Sequence, residues 1–192
     1  IAKKVNNKKP YFVGLAGGQG TGKTTISSII KIILIKYFKL KVFKISVDDF
    51  YKTRKDRSLL SKKVHPMLLT RGVPGTHDIN LMLNFFKKIK SKKFKSLKVP
   101  SFNKAVDDRS IKKNWQSIKE KPDVIIFEGW CVGAKPVSNK SLKRSINSME
   151  KVKDSKFVWR KYVNQQLTST YKQLYSQLNC LIYLPAKNFS LL

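Results

Sequence analysis

The side chains that could do chemistry here are a lysine and threonines after a glycine run, a pair of adjacent aspartates, and a glutamate ending an apolar run. From Tyr11 to Thr25 the chain reads YFVGLAGGQGTGKTT. Gly17, Gly22, Lys23 and Thr24 fit G-x-x-x-x-G-K-[ST], a phosphate-binding loop. Glycines there let backbone N–H groups turn onto phosphate oxygens, and a helix N-terminus adds partial positive charge. Gly18, Gln19, Gly20, Thr21 and Thr25 complete the expected triphosphate cradle. Lys23 would reach the β- and γ-phosphates of ATP, and the Thr24 hydroxyl would sit on Mg²⁺. Asp48 and Asp49 are costly neighbours unless they meet a metal, a base or a hydroxyl. Glu128 closes the run PDVIIF, in the form of a buried strand presenting a carboxylate to the Mg²⁺ side of the loop. The plainer alternatives are a glycine-rich turn that binds nothing, and aspartates that cap a helix.

Positioning these groups needs strands and helices in a set order. Tyr11–Ala16 is an apolar, β-prone run that leads into the loop. Apolar residues at helical spacing (Ile26, Ile29, Ile30, Ile33, Leu34) lead out of it, to an end near Phe38–Leu40. Lys41–Val47 is a second strand, expected beside the first, which delivers Asp48, Asp49, Phe50 and Tyr51 to the edge where open parallel sheets bind ligands. Arg54–Lys63 is a charged, loop-like stretch. RGVPGTHD (Arg71–Asp78) marks a rigid turn whose Arg71, His77 and Asp78 suit substrate recognition, with Asp78 also able to cap a helix over Ile79–Ile89. Asp107, Asp108 and Arg109 follow a short extended segment and fit an ordinary surface ion cluster. Trp130 and Cys131 are expected as site wall. Ser141–Met149 is a polar connection, Trp159–Leu178 a helix, and Asn179–Leu184 a fourth strand.

Composition sets the bounds. The 192 residues, 41% apolar, suit a single α/β domain with a proper core. Ile26–Phe38 is interrupted by Lys31 and Lys36 and is too short to span a bilayer. The first ten residues lack the apolar segment of a secretory signal, and residue 1 is Ile rather than Met, so a start further upstream is expected. Two widely separated cysteines, Cys131 and Cys180, point to a reduced cytoplasmic protein without structural zinc. The net charge of +30 admits nucleic acid as a partner. Yet the excess is overwhelmingly Lys, in a chain also rich in Ile and Asn, the joint bias of an AT-rich coding sequence. The densest run, Lys87–Lys98, is expected as a solvated helix end or loop.

Four motifs stand in order: GGQGTGKT, SVDDFY, RGVPGTHD with PSFNKAVDDR, and FEGWCVG. Together they resemble the D-glycerate 3-kinase-like group of P-loop kinases, related to uridine kinase, pantothenate kinase and phosphoribulokinase. The resemblance implies a P-loop NTPase fold, three-layer α/β/α with a mainly parallel sheet, over residues 1–192. It implies transfer of the ATP γ-phosphoryl to a hydroxyl of a small acid, D-glycerate foremost, with ATP and Mg²⁺ as cofactors. Asp48 is then the catalytic base and Lys23 the phosphate anchor. Thr24 and Glu128 hold Mg²⁺, and Asp49, Tyr51, Arg71, His77, Asp78 and Arg109 serve the substrate. Arg109 is also a candidate for the chemistry itself. The family pattern has Asp where this chain has Asn103. It also continues past the fourth strand into a helical lid and a last strand, so a C-terminally incomplete kinase domain is expected. A nucleoside, pantothenate or phosphosugar acceptor keeps the same chemistry. A nucleic-acid-binding ATPase is the reading of a different class, and it leaves Asp48, Asp49 and the RGVPGTHD loop without a purpose.

Overall fold

The computed structural model describes residues 1–6 and 9–185. In chain order its elements are β1 (Tyr11–Gly17), α1 (Lys23–Phe38), β2 (Val42–Ser46), α2 (Arg54–Lys63), α3 (Ile79–Lys90), β3 (Leu97–Val99), β4 (Phe102–Asn103), β5 (Asp108–Arg109), β6 (Gln116–Ile118), β7 (Val124–Gly129), α4 (Asn139–Lys143), α5 (Ser148–Lys153), α6 (Val158–Thr168), α7 (Thr170–Tyr175) and β8 (Cys180–Leu184). Short 3₁₀ turns cover Val47–Phe50 and Pro66–Leu69. The main sheet is parallel throughout, in the order β2-β7-β1-β8.

Alternation along the strands builds a layer on each face of the sheet, because successive side chains point to opposite sides. Phe12, Ile125 and Phe127 face one way and pack with Phe85, Phe86 and Ile89 of α3 and with Tyr171 and Leu174 of α7. Val13, Val124 and Ile126 face the other way, against Leu34 and Ile30 of α1. The result is the expected three-layer α/β/α arrangement. α1 buries less than its composition suggests, since Ile29 and Ile33 remain 47% and 41% exposed.

Four expectations need correction. β2 does not lie beside β1, because β7 separates them. Every residue of β7 is buried, which requires a neighbour on both sides, whereas β2 carries Lys44 at its centre and is suited to an outer position. Arg54–Lys63 is a helix rather than a loop, capped by the Thr53 hydroxyl and anchored by Arg57. The Arg57 guanidinium is fully buried and donates to the carbonyls of Lys52, Leu69 and Asp107. The polar stretch after Ser138 folds into α4 and α5, each held by a side-chain cap, Ser138 and Asn147. The expected last helix is broken at Ser169, at φ −105° and ψ −95°. The expected fourth strand is present as β8, and the Lys87–Lys98 run covers the end of α3, a loop and β3.

A buried ion cluster ties α5 to α6. Arg160 donates from Nε to Asp154 at 3.0 Å and from Nη1 to Glu150 at 3.1 Å. Asp154 also accepts the backbone N–H groups of Trp159 and Arg160 at 2.9 and 3.1 Å.

Candidate active site

Three chain ends meet at the C-terminal edge of the parallel strands. The loop between β1 and α1 supplies the first. Gly20 and Gly22 adopt φ of 82° and 77°, a left-handed backbone that other residues resist. Gly22 is the N-cap of α1, so the helix begins at the loop mouth with its first N–H groups aimed outward. The Lys23 ammonium folds over the loop onto the Gly18 carbonyl.

The end of β7 supplies Glu128, 8% exposed and fixed by two partners. Ser27 Oγ of α1 donates to Glu128 Oε2 at 2.6 Å, and Lys44 Nζ of β2 lies 3.9 Å from Oε1. The next residue, Gly129, lets the 3₁₀ turn come close, since a Cβ there would sit 2.2 Å from Val47 Cγ1.

The end of β2 supplies the aspartates on that 3₁₀ turn. Ser46 Oγ accepts from Asp48 N at 3.2 Å, and Asp49 Oδ2 accepts from Ser46 N at 3.2 Å. The reciprocal pair is a capping box. It turns Asp49 inward and leaves Asp48 facing the cleft, where Lys104 Nζ lies 3.3 Å from Oδ2. Burial pushes the Asp49 carboxyl up to about 6, the Asp48 and Glu128 charges adding to the effect while the Ser46 bond and Lys104 oppose it. A raised folded-state pKa means the fold prefers the protonated acid. The stability it contributes is fully present below the unfolded value near 3.8 and is lost as pH rises through about 6. Urea unfolding across that interval is expected to show the decline in the wild-type chain and a flatter profile in Asp49→Asn.

These three ends line one cleft of about 1020 Å³. Gly18, Gln19, Gly20, Gly22, Lys23, Thr24 and Thr25 form its phosphate side, with Asp48, Arg71, Glu128 and Trp130 also on the wall. Asp48, Glu128 and Lys23 thus share one cavity. Gly17 and Thr21 shape the loop from within: a Cβ on Gly17 would meet Thr21 Oγ1 at 2.7 Å.

The remaining candidates form a layer behind the cleft and are not part of its lining. Tyr51 is 3% exposed and stacks on His77 with ring centroids 4.3 Å apart. Its phenol is raised well above the ordinary tyrosine range by burial and by the nearby Asp48 charge. His77 is 1% exposed, and burial lowers its pKa to about 3, so the ring is neutral. Tyr171 Oη accepts the Gly75 N–H at 2.9 Å and lies 2.7 Å from His77 Nδ1. Arg109 donates to the Tyr51 carbonyl at 2.7 Å and to Asp78 Oδ2 at 3.1 Å. Asp78 caps α3 by accepting from Leu81 N at 3.0 Å, as expected. Cys131 is 1% exposed and lies under the wall, whereas Trp130 is on it, its indole N–H donated to Gly72 O. Asp107 is no free surface charge, because it bridges Arg57 and Arg71.

Several contributors lie outside the sequence reading. Ser46 was findable, since S-x-x-D is a capping signature. Ser27, Lys44, Arg57 and Lys104 carry no local signal; their partners are distant in sequence. Asn103 uses its side-chain oxygen to accept from Ala105 N at 3.0 Å, a turn role that an aspartate could fill equally.

The hard oxygen donors of Thr24 and Glu128 suit Mg²⁺. Among the described residues no group of three or more His, Cys, Asp or Glu side chains forms a metal cage. Mg²⁺ is commonly bound by one or two protein carboxylates together with substrate phosphates.

A family model described as the Phosphoribulokinase / Uridine kinase family matches residues 12–160. The uncharacterized kinase mug58 of Schizosaccharomyces pombe is 27% identical over 190 residues, 95% of this chain and 67% of that protein. The chloroplastic D-glycerate 3-kinase of Arabidopsis thaliana is 32% identical over 167 residues, 81% of this chain and 36% of that protein. Among solved structures, a D-glycerate 3-kinase from Cryptococcus neoformans matches with a TM-score of 0.79 at 27% identity, covering 98% of this chain and 69% of that one. The chain thus spans only part of the length of each of these relatives.

Proposed function

The chain belongs to the phosphoribulokinase / uridine kinase family, and from that premise we propose that it is an ATP-dependent kinase whose acceptor is a hydroxyl of a small acid, D-glycerate foremost. The observation that carries this reading is the meeting of Lys23, Asp48 and Glu128 in one cleft at the C-terminal edge of parallel strands. The preference for D-glycerate draws support from two similar proteins that bear that name.

In this reading each group has one task. The loop amides and Lys23 bind and orient the triphosphate. Thr24 and Glu128 hold Mg²⁺, which when bound neutralises phosphate charge. Asp48 takes the proton of the acceptor hydroxyl. That oxygen forms a bond to the γ-phosphorus as the bond to the β,γ-bridging oxygen breaks, and ADP leaves with the electron pair. The buried layer of Tyr51, His77 and Arg109 keeps the Asp48 turn in place, Arg109 gripping the Tyr51 carbonyl directly. Among the described residues no helix is long and apolar enough to cross a membrane. The lysine run at Lys87–Lys98 contributes no residue to the cleft.

The test is ADP formation from ATP and Mg²⁺ with a panel of hydroxyl acceptors: D-glycerate, pantothenate, uridine and a phosphosugar. D-Glycerate is expected to give the highest kcat/KM. Turnover with another acceptor and none with D-glycerate would remove the acceptor assignment. ATP hydrolysis stimulated by nucleic acid, without phosphorylation of any small acceptor, would remove the kinase reading itself.

A further inference from the structure

The β4–β5 hairpin is fixed at its base and holds one loosely tethered cation over the cleft. Asp107 bridges Arg57 and Arg71, Asp108 Oδ1 accepts from Arg54 N at 2.9 Å, and the Phe102 ring lies 5.4 Å from the Arg71 guanidinium carbon. Lys104 sits in the turn of this hairpin and lines the cleft beside Asp48. Its side chain is 66% exposed, and its ion pair among the described residues is with Asp48, at 3.3 Å.

The cations near the cleft differ in how they are committed. Arg71 is paired with Asp107 and stacked on Phe102. Arg109 is bonded to Tyr51 O and Asp78, behind the wall. Lys23 belongs to the phosphate loop. Lys104 is held by an exposed pair alone, of a weak and solvent-screened kind, and an incoming anion can compete for it at little cost. Its partner is the carboxylate that must be free to accept a proton.

We propose that Lys104 anchors the carboxylate of the acceptor, and that the anchor works by exchange. The acceptor carboxylate takes the place of Asp48 on the Lys104 ammonium, and Asp48 is thereby released toward the acceptor hydroxyl. One ion-pair exchange both selects an anionic acceptor and frees the base beside it. Lys104 is thus a specificity-determining residue, and this assignment rests on the kinase reading above.

Calorimetric titration of D-glycerate and of its neutral amide into the wild-type chain and Lys104→Ala, with steady-state kinetics on both, tests it. The exchange is expected to weaken D-glycerate binding in Lys104→Ala on the order of tenfold, as for loss of a hydrogen bond to a charged group. KM should rise by a similar factor, with little change in kcat. Affinity for the amide should not change, and Lys104→Arg should restore much of the lost affinity. Equal weakening for acid and amide, or unchanged D-glycerate binding, overturns the role of Lys104 while leaving a wild-type chain that phosphorylates D-glycerate intact as a kinase. A wild-type chain that neither binds nor phosphorylates D-glycerate overturns the acceptor reading, and this inference with it.

Discussion

Asp48→Asn is expected to lower kcat by roughly 10²–10⁴-fold, the range for loss of a positioned general base, with ATP affinity unchanged. The substitution keeps the size of the side chain and removes its charge, and so both its ability to take a proton and its ion pair with Lys104. The turn should survive, because its capping box uses the Asp48 backbone N–H, the Ser46 hydroxyl and the Asp49 carboxylate. Nucleotide binding should survive too, since the phosphate side of the cleft is built from the loop and Lys23. Kinetics with nucleotide titration distinguishes the outcomes. A variant that turns over at the wild-type rate shows that Asp48 is not the base. One that loses both turnover and ATP binding shows that Asp48 shapes the cleft rather than moving a proton.

Asp154→Ala carries the largest expected effect on stability, a loss of roughly 3–5 kcal/mol, because it breaks a buried pair by removing one partner. Asp154 is 2% exposed and Arg160 6%. Without the aspartate, Arg160 keeps Glu150 but loses the acceptor of its Nε, and two backbone N–H groups at the start of α6 lose theirs. For a chain of this size the melting temperature should fall on the order of 10 °C. Adding Arg160→Met is expected to deepen the loss rather than recover it, since Glu150, 7% exposed, then loses the cation that pairs it. Chemical denaturation of the single and double variants checks both statements. A single variant within about 0.5 kcal/mol of wild type, as for an ordinary surface change, would make the cluster an ornament of the fold.

The parts of the site legible in the sequence are those whose physics is local. The phosphate loop is one: its glycines, lysine and threonine act over consecutive residues, and the strand and helix that frame it have clear periodicity. Asp78 is another, because a cap and the helix it starts are adjacent in the chain. Arg57 could not be read this way. In a segment of mostly charged residues it looks like its neighbours, yet its guanidinium is the one that reaches three carbonyls from separate segments. α2, α4 and α5 escaped notice for a related reason, since short helices with few apolar residues present no stripe and are held by caps and by neighbours.

Amino-acid order by itself therefore determined the chemistry available, namely a triphosphate cradle and carboxylates at the ends of two strands, because backbone conformation and capping depend on near neighbours. The tertiary structure decided which of those groups share a cleft. It inserted β7 between β1 and β2, brought Glu128 and Asp48 to one edge, and drew Tyr51, His77 and Arg109 back into the supporting layer. That choice follows from burial: a strand apolar on both faces must take a central place in the sheet, and the strands around it must arrange themselves accordingly.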